Sequence, residues 1–449
     1  MKSGWKNVSF AELITERKGR FDPHASEIRG LRKIEKIDFS QGKIHLGEYK
    51  PTKTQQIIVE PGDFVFSGLN IEKGAASFNE TDERLVVSAN YSTCSFDDSK
   101  VSLDFFKHYM RSENFQSLLK DNLKKDYGFT RPKHLMPLSF LVPEDKSEQQ
   151  KIVDQYEQGK TTSLKLQHEI AHQEALLDKL KQAILQEAIQ GKLTEDWRAA
   201  HPDTEPAAQL LKRIQKEKAR LIADKKLRKE KPLPKISPAE IPFEIPENWT
   251  CCRLFPICEK TGSGSTPSGG KSAYTEEGTP FLRSQNVHNN GLVLDDVARI
   301  SEEIHTRMSG TTVFPEDLLL NITGGSIGRC AVVGNEIEEA NVNQHVAIIR
   351  PVVRASGKYL HSVILAPYFQ GKIEEAQTGA GREGLPKNKM DRILIPLPPL
   401  AEQAAIVERV EALMENCRAL EKEIEHSRAH AAHLLQAVLK EAFSPASLF

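Results

Sequence analysis

Glu148-Gln149-Gln150-Lys151-Ile152-Val153-Asp154-Gln155-Tyr156-Glu157 returns 254 residues later as Glu402-Gln403-Ala404-Ala405-Ile406-Val407-Glu408-Arg409-Val410-Glu411, without a gap. The register holds to the far end of the stretch. Gln182, Ala183, Leu185, Glu187 and Ala188 fall on Gln436, Ala437, Leu439, Glu441 and Ala442, so the two copies have the same length. Self-similarity at a fixed period outranks any single motif as a guide to architecture.

Each copy reads as one long helix. In the second, Ile406, Val410, Leu413, Cys417, Leu420, Ile424, Ser427, Ala431, Leu434 and Val438 alternate steps of four and three, the period of a coiled-coil seam. The first copy has Ile152, Tyr156, Gly159, Ser163, Leu166, Ile170, Gln173, Leu177, Leu180 and Ile184 at those places. Its Gly159 alone costs about 1 kcal/mol of helix stability, so a partner helix must compensate. Two matched copies within one chain can bury each other's stripe. The reading predicts that they pair as an antiparallel coiled coil.

The repeat also extends upstream of the helices. Pro61, Asp63 and Gly74 pair with Pro315, Asp317 and Gly328, and Phe115, Gln116, Pro132, Lys133 and Met136 with Phe369, Gln370, Pro386, Lys387 and Met390. The repeated unit is therefore a globular domain plus its helix. The predicted order is a domain over 1–145, a long helix over 146–191, a basic and proline-rich linker over 192–248, a second domain over 249–397 and a second long helix over 398–444. The fold class is α+β, with pseudo-two-fold symmetry between the halves.

Composition excludes more than it selects. The 61 Lys and Arg balance 62 acidic residues, so no anionic partner is demanded by total charge. Six scattered cysteines lack CxxC spacing and read as free thiols of a cytoplasmic protein. No apolar run approaches the ~20 residues of a membrane span, so no membrane partner is expected.

In the first domain, Lys43–Tyr49, Gln56–Val59, Phe64–Ser67 and Leu85–Val87 read as short strands, and Leu103–Leu119 as a helix with an apolar face. Ser147 and Gln150 form a possible capping box for the first long helix. Between Lys212 and Lys231 stand ten Lys or Arg and three acids, a solvated helix face or a DNA-backbone contact. Pro232, Pro234, Pro238, Pro242 and Pro246 keep the rest of the linker extended. In the second domain Thr261–Ser272 reads as a flexible loop, and Thr279–Val287 as a strand dense in hydrogen-bonding groups. Asp317–Ile322 and Val342–Ile349 read as further strands, with a tight turn at Thr323–Gly328.

No catalytic constellation emerges. His168-Glu169-Ile170-Ala171-His172 matches HExxH, which would bind zinc, but Ile170 is a seam residue and the second copy has Lys422 in place of His168. Gly264–Ser272 has five residues rather than four before Gly270-Lys271-Ser272, which breaks the spacing of a phosphate-binding loop. The chain reads as non-catalytic and metal-free.

Two variable domains, each followed by a long repeated helix, resemble the DNA-specificity subunit of type I restriction–modification systems. The most telling match is Ile393-Leu394-Ile395-Pro396-Leu397-Pro398-Pro399-Leu400-Ala401-Glu402-Gln403, which looks like that family's approach to a conserved helix. Gly191-Lys192-Leu193-Thr194-Glu195-Asp196-Trp197-Arg198 looks like its exit from the other, and Thr279–Val287 is similar to a recurrent strand of its target-recognition domains. The first copy departs from the pattern with a single Pro143 before its helix, where the second has three prolines.

The resemblance implies a subunit that recognises a bipartite site on double-stranded DNA and binds two methyltransferase subunits through its helices. With two restriction subunits it would form the full enzyme. S-adenosylmethionine, ATP and Mg would sit on those partners, with no cofactor on this chain, and the target adenine would be flipped out for methylation. Helices of about 44 residues, or roughly 65 Å, would act as a ruler between half-sites.

Both domains are nearly neutral, so DNA affinity must come from local clusters. Candidate contacts in the first domain are Lys124, Lys125, Tyr127, Arg131 and Lys133, basic groups interleaved with aromatics. In the second they are Arg283, Ser284, Gln285, Asn286, Thr323, Ser326, Gln344, Arg382, Lys387, Asn388 and Lys389. Lys133 and Lys387 share the repeat register and should meet phosphate, unless they only cap the domain–helix junction. Arg283, Gln285 and Asn286 can make bidentate contacts to base edges. A rival function is a scaffold that joins proteins through its coiled coil, and sequence-selective, salt-dependent DNA binding would separate the two.

Overall fold

The computed structural model describes residues 4–442 except 40, 124–127, 230 and 379–383. It divides into two compact units, residues 1–172 with 424–449, and residues 173–423.

In the first unit, Trp5–Ser9 pairs antiparallel with Ser139–Pro143, which closes the domain at the foot of the first long helix, Lys146–Ile189. One four-stranded sheet runs in the order Ile14–Glu16, Tyr91–Phe96, Phe64–Ser67, Ala76–Phe78. The other runs Ile44–Glu48, Arg32–Ile37, Leu85–Ser88, Gln56–Val59, and its Arg32–Ile37 and Leu85–Ser88 are parallel. Phe10, Phe64, Phe66, Phe78, Phe105, Phe106, Phe115 and Phe140 form one aromatic core. Ile152 and Val153 of the long helix belong to the same core, so the helix start is fixed by the domain's hydrophobic burial.

The second unit repeats this plan, with Tyr274–Thr275 as an additional strand. Thr250–Arg253 pairs antiparallel with Leu394–Leu397. Cys258–Ser263, Val346–Pro351, Leu318–Asn321 and Cys330–Val332 make the first sheet. The second is ordered Tyr274–Thr275, Ala298–Ile300, Thr279–Leu282, Ala340–Val342, Thr312–Val313, and again one central pair, Thr279–Leu282 with Ala340–Val342, is parallel. The main addition is a hairpin, Val287–His288 with Gly291–Leu292, between strands that a short turn joins in the first unit. Equivalent buried acids brace both plans. Asp63 accepts from Glu60 N and pairs with Arg17, while Asp317 accepts from Phe314 N and pairs with Arg350 and Arg354.

Several local expectations change for identifiable reasons. The helix expected over Leu103–Leu119 is two helices, Leu103–Tyr109 and Glu113–Asn122, because Ser112 caps a new start through Phe115 N. The first long helix is capped by Asp145 rather than by a Ser147–Gln150 box: Ser147 donates from both N and Oγ to the Asp145 carboxylate, whose pKa those bonds lower. Thr261–Ser263, read as loop, finishes a strand. The run Thr279–Val287 is strand to Leu282, breaks into a 3-10 turn at Ser284–Asn286, and re-enters a strand only at Val287. Likewise Val342–Ile349 is interrupted between Val342 and Val346. Half of the basic run lies on a helix, Ala207–Ala223, that buries Leu210 and Ile214.

The second long helix, Leu400–Ala442, begins at a buried charge. Glu402 is wholly inaccessible. It accepts from Thr194 Oγ1 at 2.9 Å, Arg198 Nε and Nη2 at 3.1 and 2.9 Å, and Trp249 Nε1 at 2.9 Å. The segment leaving the first helix, the first residues of the second domain and the start of the second helix are thereby held at one carboxylate. Gly191 makes the turn that brings Arg198 round, with φ of 74°. Further along, Lys181 of the first helix pairs with Glu421 of the second. Glu148, the repeat counterpart of Glu402, is only half-buried. Replacing Glu402 with Gln should therefore destabilise the chain by about 3 kcal/mol, since Arg198 loses its counter-charge. Glu148→Gln should cost less than about 0.5 kcal/mol. Urea unfolding of the two variants measures both, and equal losses would contradict the assigned asymmetry.

Candidate nucleic-acid interface

Three loops of the second domain meet where strands of both its sheets end. They are Arg283–Asn286 after Leu282, Ile322–Arg329 after Asn321, and Asn343–His345 after Val342. Backbone bonds fix their order: Asn343 N donates to Leu282 O at 3.1 Å, and Ile322 N to His345 O at 2.9 Å. Asn321, fully buried, donates from Nδ2 to Ser284 O at 2.9 Å and to Ser326 Oγ at 3.0 Å, so one amide spans two loops. Thr323 Oγ1 contacts His345 Nδ1 at 2.5 Å, and Gln344 Nε2 lies 3.1 Å from His345 Nε2. Thr266 Oγ1 donates to Gln344 Oε1, which adds the end of a fourth loop. Gly264 lets that loop approach, because a Cβ there would sit 1.9 Å from Val342 O.

The outcome is a polar rim with exposed Gln285, Gln344, Gly324 and Gly325, and half-buried Arg283, Ser284, Thr323 and Ser326. Arg283 Nε is buried and unpartnered. Behind the rim, Asn341 braces the strand through Met308 O, Thr311 Oγ1 and His305 Nδ1. Burial works to lower the His305 pKa, but hydrogen bonds to Asn341 and Glu339 outweigh it and raise the value.

The first domain repeats part of this backbone frame. Gly68 N donates to Asn90 O as Ile322 N does to His345 O, and Ser67 N donates to Ala75 O as Asn321 N does to Arg329 O. Thr130 N meets Gly68 O at 2.7 Å, and Leu385 N meets Ile322 O at 2.8 Å. Gly74 and Gly328 both close their loops in left-handed geometry, at φ of 97° and 87°.

Among known proteins, a family model described as the type I restriction modification DNA specificity domain matches residues 246–427. The EcoAI specificity subunit of Escherichia coli is 29% identical over 60% of this chain and 45% of its own length. The EcoEI specificity subunit of the same species is 25% identical over 60% of this chain and 46% of its own. By sequence over residues 246–427 and by fold over its whole length, the chain is similar to type I restriction–modification specificity subunits. It spans a little under half the length of those two curated relatives in the matched regions. The fold agrees over the whole chain: the HsdS subunit of Thermoanaerobacter tengcongensis aligns with a TM-score of 0.53 at 19% identity, covering 100% of this chain and 98% of that one. A chain from a structural study of assembly and conformational transition of the type I R-M system aligns with a TM-score of 0.59 at 18% identity, covering 100% and 99%.

Within this specificity-subunit fold, the structure gathers Arg283, Ser284, Gln285, Thr323, Ser326 and Gln344 at one rim. Asn286 is placed differently from the expectation of a base contact. It is buried, its Oδ1 accepts from Arg283 N at 2.9 Å and its Nδ2 donates to Val293 O at 3.0 Å, so both amide ends are spent on the loop. Lys387 also has a structural role: its Nζ pairs with Asp391 at 2.6 Å and lies over the Phe255 ring, while Asp391 also accepts from Thr261. Lys389 Nζ donates to Ala376 O, and Asn388 is exposed. Lys133 and Arg131 are exposed at the start of the short helix Pro132–Leu135, and Lys133 has Pro137 where Lys387 has Asp391. Lys124, Lys125, Tyr127 and Arg382 lie outside the described residues.

His345, Thr266 and Asn321 were not singled out from sequence. Only Asn343-Gln344-His345, polar residues within an apolar run, offered a signal. His168 and His172 are exposed on the long helix, and no metal-holding cluster of His, Cys, Asp or Glu exists among the described residues. The cysteines are free, and burial pushes the Cys94 and Cys258 thiols up to about 12. No described helix is long and apolar enough to cross a membrane.

These placements separate two lysines that share one register. Lys387→Ala should lower thermal stability and leave the salt dependence of DNA binding unchanged. Lys133→Ala should keep the melting temperature and reduce the slope of log affinity against log salt by about 1. Melting curves and a salt titration on the same preparations decide it.

Proposed function

We propose that this chain is the non-catalytic recognition subunit of a type I restriction–modification enzyme, reading a bipartite DNA site with one domain per half-site. The duplicated rim carries the reading. Two domains with corresponding strands and several shared loop hydrogen bonds present different side chains at equivalent places, as two readers of unlike sequences require. Arg283, Gln285 and Gln344 are the base-reading candidates of the second domain, since Arg and Gln can bond two acceptor or donor groups of one base edge. Ser284, Thr323 and Ser326 would position the backbone. Lys133, Arg131 and the cluster around Lys124, Lys125 and Tyr127 would serve phosphate contact in the first, and Arg382, Asn388 and Lys389 in the second.

The long helices serve as spacer and as the dock for two methyltransferase subunits, with two restriction subunits in the full enzyme. Their lengths of 44 and 43 residues support a ruler. Antiparallel coiled-coil pairing is supported by buried positions that match in opposite directions, Ile184 with Cys417 in one unit and Ile170 with Ala431 in the other. Only one of the two heptad lines is covered, however. Leu180, Leu420 and Leu434 of the expected seam are 45%, 48% and 49% exposed, and Leu164 and Leu176 lie open beside them. Such apolar side chains suit a protein partner, which a coiled coil sealed on both lines would not offer. S-adenosylmethionine, ATP and Mg belong to those partners in this reading, and the assembly works in the cytoplasm.

Exchanging residues 249–397 for the matching region of a relative should change one half of the methylated site and preserve the other. Mapping methylated adenines in cells that carry the exchange together with the methyltransferase reads the result, and changes in both halves would refute independent reading. Four residues inserted in the first long helix should alter the spacing between half-sites and leave their bases as they were. Unchanged spacing at full affinity would refute the ruler.

A further inference from the structure

We propose that the first domain reads thymine through an apolar contact, with Leu69 and Phe39 meeting the C5 methyl group in the major groove. This inference rests on the DNA-recognition reading above. Leu69 stands at the rim position that Thr323 holds in the second domain, because Gly68 and Ile322, each directly after its strand, make the same pair of backbone bonds. It is 58% exposed. Phe39, 42% exposed, lies on the turn that replaces the Arg283–Asn286 loop, and the two loops touch: a Cβ on Gly74 would lie 2.3 Å from Phe39 O. Phe129 backs them, its ring lying across Gly68 where any Cβ would collide with it at 2.4 Å.

The hydrogen-bonding groups of the second rim are thinned out here. Thr323, Gly324, Gly325 and Ser326 are matched by Leu69, Asn70, Ile71 and Glu72, and Ile71 is buried in the aromatic core. Glu72 is exposed and would repel phosphate, while the exposed Lys73, Arg131 and Lys133 of the same domain supply attraction for DNA. Single exposed apolar residues need no explanation, but two on adjoining loops, at the place where the sister domain gathers polar groups, do. The thymine methyl is the apolar feature that a base pair displays in the major groove. A wedge driven between base steps suits this site less well, because Leu69 is held on a loop clamped by backbone bonds from Gly68 to Asn90 and Thr130 and from Ser67 to Ala75. That loop is a blunt surface.

The full chain, co-purified with its methyltransferase subunit, is used to select duplexes from a randomised pool, and the selected duplex is resynthesised with deoxyuridine replacing thymidine one position at a time. At one or more positions of a single half-site, loss of the methyl should weaken binding about three- to fourfold, the worth of one buried methyl group. In Leu69→Ser, which removes the apolar group, that penalty should vanish while the other half-site behaves as before. Phe39→Ser tests the second group in the same way. Selection that enriches no sequence rejects the DNA-recognition reading itself. Enrichment of a split site with no uridine penalty, or with one that survives both substitutions, overturns this inference and leaves that reading standing.

Discussion

Glu402 is the point on which the second unit turns. A carboxylate cut off from water is costly unless its lone pairs are filled and its charge is met, and here an arginine, an indole N–H and a hydroxyl do both. The donors come from the segment after the first long helix and from the threshold of the second domain. Neither segment has a large core of its own to hold it. The end of one helix is therefore fixed beside the start of the other, and the Lys181–Glu421 pair further along is consistent with chains running in opposite directions.

The domains solve a second problem, that of presenting variable groups on an invariant frame. Each frame rests on a buried aspartate with arginine partners and on a central parallel strand pair. The loops after those strands are pinned to one another by main-chain hydrogen bonds, whose geometry does not depend on side-chain identity. Polar groups can thus gather at one rim and apolar groups at the other without disturbing the sheets below. The proposed reading of two unlike half-sites would use that freedom, with the helices left unchanged.

The repeat made the architecture legible from sequence. A gapless shift of 254 residues located the helices and paired Asp63 with Asp317 and Gly74 with Gly328, all of which occupy equivalent places. Periodicity then marked the seam, and it erred where burial depends on a neighbour: Leu180 and Leu420 are at seam spacing yet exposed. Local capping was misjudged for a similar reason. Ser112 and Asp145 compete with the helix pattern through one or two local hydrogen bonds each, which composition does not reveal.

At the rim, residue type showed which groups could bond a base, and tertiary structure decided which are free to do so. Asn286 and Gln285 are adjacent and chemically alike, but the loop folds back so that Val293 O and Arg283 N consume the asparagine and leave the glutamine in solvent. Lys387 and Lys133 share a register, yet Asp391 stands four residues after the first and Pro137 four after the second. Sequence by itself determined the duplication and the two long helices, because these are written in spacing along the chain. Which side chains face a ligand was settled only by contacts between residues far apart in sequence, where each hydrogen bond made inside the fold is one withheld from a partner.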